Sequence, residues 1–331
     1  MTLTKLKTVP AWFITDLDGV PSFGPVRLGP KVLQSTAKQY ARAETYKLAL
    51  VNEKLSGGAG GIKVDLNERE DTVKGFAEEL LAISQQNVFH PDPAWGVDEN
   101  DFSMLRTNDP RNPLAWSAGA EETLIAAGAI ALPSSVLANL SGTRLTLGDL
   151  SPVHLALAQS WIEAGGMVVG LEFRGNAHSA DEGIELSELS AIADGGVDLN
   201  ASKGDARLIE SELFVPAGGR ATITHETEAT IGARHVLGLS DLSITPRGLA
   251  TLTRREVSVL PDFLATSAVT HAAHGSATSL EEAVTAATSH ISAITQQAGA
   301  DPDGPFLGTC RLAESFLSTW QPTLPFGRPL P

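Results

Sequence analysis

Apolar and polar positions along this chain alternate with changing period, and the period predicts the elements. Trp12-Phe13-Ile14 is a continuous apolar run of strand length. From Lys31 to Leu50 apolar residues recur at helical spacing, and Asp71 to Ser84 predicts a second helix. The stretch Asn108-Asp109-Pro110-Arg111-Asn112-Pro113 is a polar, proline-rich break and a candidate domain boundary. Beyond it the rhythm changes. Arg144-Leu145-Thr146-Leu147 predicts a strand, Val153 to Ala164 a helix, and Met167 to Leu171 a fully apolar strand. Short apolar runs return at Leu213-Phe214-Val215, His235-Val236-Leu237 and Val257-Ser258-Val259-Leu260, each after a helical or loop segment. Ser279-Leu280-Glu281-Glu282 is a capping box that opens a helix to about Gln297. Strands alternating with helices imply a parallel sheet with right-handed crossovers. The expected organisation is an N-terminal α/β domain over 1–130, a doubly wound Rossmann-like domain over 131–300, and a C-terminal helix and tail over 301–331.

Composition narrows the class. A chain of 331 residues can hold two cores. With 42% hydrophobic and 19% charged residues it reads as an ordinary soluble protein. No apolar run approaches the length of a membrane span, and Met1 to Pro10 lacks a signal-peptide core. The single cysteine, Cys310, excludes an internal disulfide framework and reads as a buried apolar side chain; a reducing cytoplasm is the expected home. A net charge of -15 argues against non-specific nucleic-acid or anionic-membrane partners, which need basic surface.

The richest motif is Ser56-Gly57-Gly58-Ala59-Gly60-Gly61-Ile62, twelve residues beyond which, counting back from Ala59, lies Lys47 of Thr45-Tyr46-Lys47. Together these resemble the substrate segment of the Glu/Leu/Phe/Val dehydrogenases, roughly T-Y-K followed by G-G-G-K-G-G-I. Other stretches are similar to that family in its order. Ser22-Phe23-Gly24-Pro25-Val26-Arg27 is similar to an early G-G-x-R turn, and Pro93-Ala94-Trp95-Gly96 to P-D-V-G. Leu147-Gly148-Asp149-Leu150-Ser151-Pro152-Val153 stands at the dinucleotide turn, Phe214-Val215-Pro216-Ala217 at a strand end, and Pro261-Asp262 opens P-D-x-x-A-N-A-G-G with Thr266 for the asparagine. Ser240-Asp241 takes the place of an Ala-Asn pair that contacts the nicotinamide side.

The resemblance implies two domains, assembly through the N-terminal one, and last helices that pack back toward it. It also implies substrate contacts from Lys47, Gly24, Arg27, Gly57 and Gly58, with Lys47 on the substrate carboxylate. It puts Ala59 where the family has its catalytic lysine and Ala94 where it has its catalytic aspartate. An alanine neither donates a proton nor polarises a carbonyl. General acid–base help is worth about 10²–10⁴ in rate, and electrostatic stabilisation is comparable or larger. Asp92, two residues before Ala94, is the candidate for taking over a catalytic role; Lys63 and His90 are weaker ones, and all three also read as structural or solvated charges. In the cofactor turn Gly148 alone remains of the glycines a pyrophosphate needs, while Leu150 adds bulk and Asp149 a negative charge. Ser151-Pro152 still reads as a helix start. Glu172 and Phe173 fall where an acidic ribose ligand is expected. The glycine run itself also reads as a tight backbone crossing.

His271-x-x-His274 and His225-Glu226 do not fill a metal site. The expectation is therefore a catalytically degenerate dehydrogenase homologue with no cofactor and no metal. It binds a small amino or keto acid, or joins an active relative, as a homo-oligomer or hetero-oligomer. The alternatives are an enzyme of altered chemistry on an amino-acid derivative, and an active NAD(P)-dependent dehydrogenase with relocated groups.

Overall fold

The structure, a computed structural model, describes residues 1–65, 68–84, 89–137, 139–195, 205–227 and 230–331. By its contacts the chain forms two units, Met1–Arg111 with Ala313–Leu330, and Asn112–Leu312 with Pro331.

The first unit is built on β1 (Thr2–Lys5), β2 (Ala11–Thr15), β3 (Ser22–Leu28), α1 (Gln34–Leu50), β4 (Ser56–Ile62), α2 (Arg69–Ser84), β5 (Phe89–Pro93) and the short α3 (Ser103–Arg106). The strands form one sheet in the order β1-β2-β4-β3-β5. β3, β4 and β5 run parallel, and β2 is antiparallel to both β1 and β4. The helix expected from Lys31 starts at Gln34, because the chain is still extended at Leu33. α2 starts at Arg69, with Glu70 and Asp71 in its first turn, where acids favour the helix dipole. One core contains Phe13, Val26, Ile62, Phe76 and Phe89, with the Phe13 and Phe89 rings stacked at 5.1 Å. A second, smaller cluster joins Trp12, Ile14 and Ala59 to Ala37 and Ala41 of α1. Small residues at that contact let α1 lie close on β4.

The second unit begins with α4 (Ala120–Leu137), so residue 130, the boundary read from the sequence, falls inside a helix of this unit. It continues through β6 (Arg144–Leu147), α5 (Pro152–Glu163), β7 (Met167–Phe173), β8 (Asn176–Ser179), α6 (Leu186–Ala193), β9 (Leu213–Val215), β10 (His235–Leu237), α7 (Pro246–Arg254), β11 (Ser258–Leu260), α8 (Asp262–His274) and α9 (Leu280–Gly299). α10 (Pro305–Leu317) carries the division at Leu312. The sheet order is β11-β10-β9-β6-β7-β8. The chain leaves β6 toward one edge and returns beside it at β9, so the order reverses there, as in a Rossmann fold. All neighbours are parallel except β7 and β8. That pair is a hairpin, turned by Arg174 and Gly175 at φ 52° and 79°. α4 is apolar enough over 18 residues to cross a bilayer, which the sequence reading did not register. It packs instead against α5, α8 and α9, as a core helix does.

Candidate functional site

Ala59 sits at the centre of β4, opposite Ile14, and is 2% exposed. Trp12, Arg27, Lys31, Tyr40, Ala59 and Trp95 are among the residues that line a cavity of about 100 Å³ in the first unit. β3 projects Arg27 there. Its guanidinium lies 5.3 Å from the Tyr40 ring centroid and 5.9 Å from that of Trp95. Such cation–π contacts hold a guanidinium without using its N–H donors. Among the described residues Arg27 has no hydrogen-bond or ion-pair partner, and neither has Lys31. The lining contains two cations and no carboxylate.

Lys47 is not on the surface. It is 7% exposed and its Nζ is 2.5 Å from Glu44 Oε1. Gly57 and Gly58 are covered rather than open to a ligand. A Cβ on Gly57 would overlap the Ala41 carbonyl oxygen of α1, and one on Gly58 would stand 2.7 Å from the Phe89 ring. The other glycines of the run behave alike: a Cβ on Gly60 would meet Val26, and one on Gly61 would meet Trp12. The run is therefore a tight crossing in which backbone packs where side chains cannot. Gly24 is held at φ 153° and faces the Gly58 carbonyl and Glu44.

Asp92 is not free to act as a base. Arg111 Nη1 donates to both of its carboxylate oxygens, at 2.7 and 3.0 Å. The same guanidinium bonds Asp109 and lies 4.9 Å from the Phe23 centroid. Burial alone would raise the Asp109 carboxyl, but the Arg111 hydrogen bonds and charge outweigh it and hold that carboxyl below its ordinary value. His90 stacks on Phe23 at 4.8 Å, and burial keeps its imidazole below the usual range. Lys63 is exposed just past β4. Ala94 follows β5 in a half-buried turn, with Trp95 exposed beside it.

In the second unit the turn after β6 is self-satisfied. Leu150 N donates to the carboxylate of Asp149 at 2.8 Å, so an internal acid takes one of the N–H groups near the start of α5. Leu150 is 4% exposed and packs inward. Ser151 uses its hydroxyl on His154 Nδ1, 2.7 Å away, instead of capping α5. His154 Nε2 donates to the Pro216 carbonyl at 2.9 Å; burial keeps this imidazole below its usual range and hence neutral. A Cβ on Gly148 would stand 2.7 Å from Ala217 N. These contacts tie the ends of β6 and β9 together at the reversal of strand order. Glu172 and Phe173 lie within the β7–β8 hairpin, paired with Ala177 and Asn176.

Three groups were not anticipated as a cluster. Asp262 is 1% exposed, and Ser243, through N and Oγ, and Phe263, through N, donate to it. Burial, then the charge of Asp241, push its carboxyl up to about 7 despite those bonds. Thr266 Oγ1 donates to Asp241 at 2.5 Å. His271 faces His290 of α9 at 5.0 Å; His225 and Glu226 border a surface recess with Arg247. No group of three or more His, Cys, Asp or Glu suited to a metal occurs among the described residues.

Residues 12–107 match the model of the Glu/Leu/Phe/Val dehydrogenase dimerisation domain. The chain is 23% identical over 292 residues to the NADP-specific glutamate dehydrogenase of Saccharolobus shibatae, covering 79% of this chain and 69% of that one. It is 26% identical over 282 residues to the NAD-specific glutamate dehydrogenase of Peptoniphilus asaccharolyticus, covering 75% and 67%. The solved hetero-hexameric glutamate dehydrogenase from Thermus thermophilus, in a Leu-bound form, has the same fold. It superposes with a TM-score of 0.76 at 21% identity, over 92% of this chain and 83% of that one. Over residues 12–107 the chain carries the signature of the Glu/Leu/Phe/Val dehydrogenase dimerisation domain, and over most of its length it is similar to glutamate dehydrogenases.

Within that family a nicotinamide dinucleotide is the group to test against the turn after β6. The residues present do not fit it. Leu150, expected to add bulk there, is buried and packs away instead, but a pyrophosphate would meet the Asp149 carboxylate and the Ser151–His154–Pro216 bridge in place of a bare glycine backbone.

Proposed function

We propose that this chain is a non-catalytic member of the Glu/Leu/Phe/Val dehydrogenase family that binds a small amino or keto acid through its N-terminal unit. The observation that carries the reading is the cavity over Ala59, with two unpaired cations and no acid or histidine in its lining. Arg27 supplies a planar fork for a carboxylate, and the lining holds no carboxylate or imidazole to act as a base. Asp92 is spent on Arg111, so the proton handling lost at Ala59 and Ala94 is not replaced by that neighbour.

The supporting experiment pairs turnover with binding. The purified chain is expected to reduce neither NAD nor NADP with any common amino acid. The double variant Ala59→Lys, Ala94→Asp is expected to stay silent, because the turn after β6 is a separate lesion. Calorimetric titration with a panel of keto and amino acids is expected to find binding. Nicotinamide reduction by the unaltered chain at rates ordinary for an enzyme would overturn the reading, as would no binding of any acid.

A second reading is a subunit that joins an active relative. It is favoured by likeness to a chain of a hetero-hexameric glutamate dehydrogenase. Co-purification of a dehydrogenase with this chain from its native cells tests it; a chain that emerges alone and self-assembled counts against it.

A further inference from the structure

We infer that the cavity over Ala59 selects an ammonium-free carboxylate, an α-keto acid, over the zwitterionic amino acid of the same carbon skeleton. This rests on the acid-binding reading above and adds the substrate class. A keto acid brings one negative charge and a carbonyl; an amino acid adds an ammonium with three donors that need acceptors. The cavity has what the first requires. Arg27 is held by the Tyr40 and Trp95 rings with its N–H donors unspent, and Lys31 stands at the same wall. Arginine and a carboxylate pair in a two-point, charge-assisted fork.

The cavity lacks what the second requires. Its lining contains no aspartate or glutamate. Three acids on or beside α1, β2 and β5 are already bonded to cations. Glu44 pairs with Lys47, Asp16 receives both nitrogens of a bidentate Arg42, and Asp92 receives Arg111. The carbonyls of β4 do not make up the deficit. β4 is an inner strand, with β2 on one side and β3 on the other, so the carbonyls of Ala59 and Gly60 belong to the ladder. Pro25, Val32 and Ala37 complete the wall with hydrocarbon. An ammonium entering here meets two like charges, with the Thr36 and Tyr40 hydroxyls as the only side-chain oxygens of the lining and the Tyr40 and Trp95 rings already facing Arg27, which disfavours it.

The test is isothermal titration of the full chain at neutral pH with two matched pairs, phenylpyruvate against phenylalanine and pyruvate against alanine. In each pair the keto acid is expected to bind tighter by a factor of roughly 10–100, the range expected for one unsatisfied charged donor group. Arg27→Gln is expected to weaken the keto acid at least about 10-fold and to weaken the amino acid as well, since both carry the carboxylate that Arg27 grips. Thr36→Asp adds a carboxylate to the rim in the first turn of α1, where an acid suits the helix, and so keeps the test alive if the Arg27 variant folds poorly. It is expected to narrow the preference within each pair. Equal affinity within the pairs, or tighter binding of the amino acid, overturns this inference while leaving acid binding intact. Inorganic phosphate binding as tightly as phenylpyruvate also overturns it, in favour of a simple anion seat. Failure of every acid to bind sinks the acid-binding reading and this inference with it.

Discussion

Asp262 should make this protein less stable as the pH rises through neutrality, opposite to the usual behaviour of a buried carboxylate held by cations. Its carboxyl stands at about 7 in the folded chain against 3.8 for a free side chain. The folded form therefore keeps the proton between those values while the unfolded chain releases it. Stability is greatest below the unfolded value and is lost as pH climbs toward the folded one. Over the whole window the loss is about 4 kcal/mol, of which about 3 kcal/mol falls between about pH 5 and about pH 8. The cause is structural. Asp262 is completely enclosed at the start of α8, close to Asp241, and ionising it puts a second negative charge into that enclosure. The Ser243 and Phe263 donors soften the penalty without removing it. The assay is urea unfolding across this range, comparing the natural chain with Asp262→Asn, so that titrations common to both cancel. The variant should lose the downward slope, and the difference between the two curves should grow with acidity in favour of the natural chain. Parallel curves would show that the three donors already hold Asp262 ionised, and would refute the reasoning.

Two further outcomes follow from packing. Asp16 is 4% exposed and takes both Arg42 and Thr45, while Arg42 also donates to the carbonyls of Phe326 and Gly327. Asp16→Ala strands a buried guanidinium and should cost about 3–5 kcal/mol, read as a fall in the urea midpoint; a change under about 1 kcal/mol would mean that the tail carbonyls alone satisfy Arg42. Gly57→Ala forces α1 off β4 and should leave little folded protein, whereas Gly299→Ala, with nothing near its Cβ, should raise stability by about 0.5–1 kcal/mol. Circular dichroism melts of the two variants decide this, and similar melting points would show that α1 yields to the extra methyl group.

The sequence made the sheet of the second unit legible because its strands are short apolar runs separated by helices, and burial on both faces demands that pattern. The β7–β8 hairpin was not legible: the apolar run ends at Leu171, and β7 continues through Glu172 and Phe173 into a two-residue turn at Arg174-Gly175. Ala59 and Ala94 could be placed from motif spacing alone, since position along a strand is a property of the sequence. What their neighbours do could not, because ion pairs join distant segments. Asp92 meets Arg111 across nineteen residues, as β5 and the loop before Asn112 come together. The Glu44–Lys47 pair is the exception. An i, i+3 spacing on one helix was visible from the start and would have removed Lys47 from the free anion contacts. Tyr40 and Trp95 around Arg27 carry no local signal at all.

That contrast decides how much the surviving motif says about chemistry. Gly57, Gly58, Gly60 and Gly61 each face backbone or an aromatic or branched side chain at a distance no Cβ tolerates, so this fold requires them whether or not a substrate is present. Their presence is accounted for by the closeness to β4 of α1 and of the Phe89, Val26 and Trp12 side chains. Ala59 shares in this packing: it is 2% exposed and lies in a cluster with Ala37 and Ala41 of α1, with a cavity beside it. A small residue at position 59 therefore suits the packing of α1 on β4, and it brings no group that transfers a proton. The glycine frame, explained by packing, is by itself no testimony for proton transfer. What speaks for a ligand in that same cavity is Arg27, whose N–H donors are unspent beside the Tyr40 and Trp95 rings, because packing does not explain a charge there.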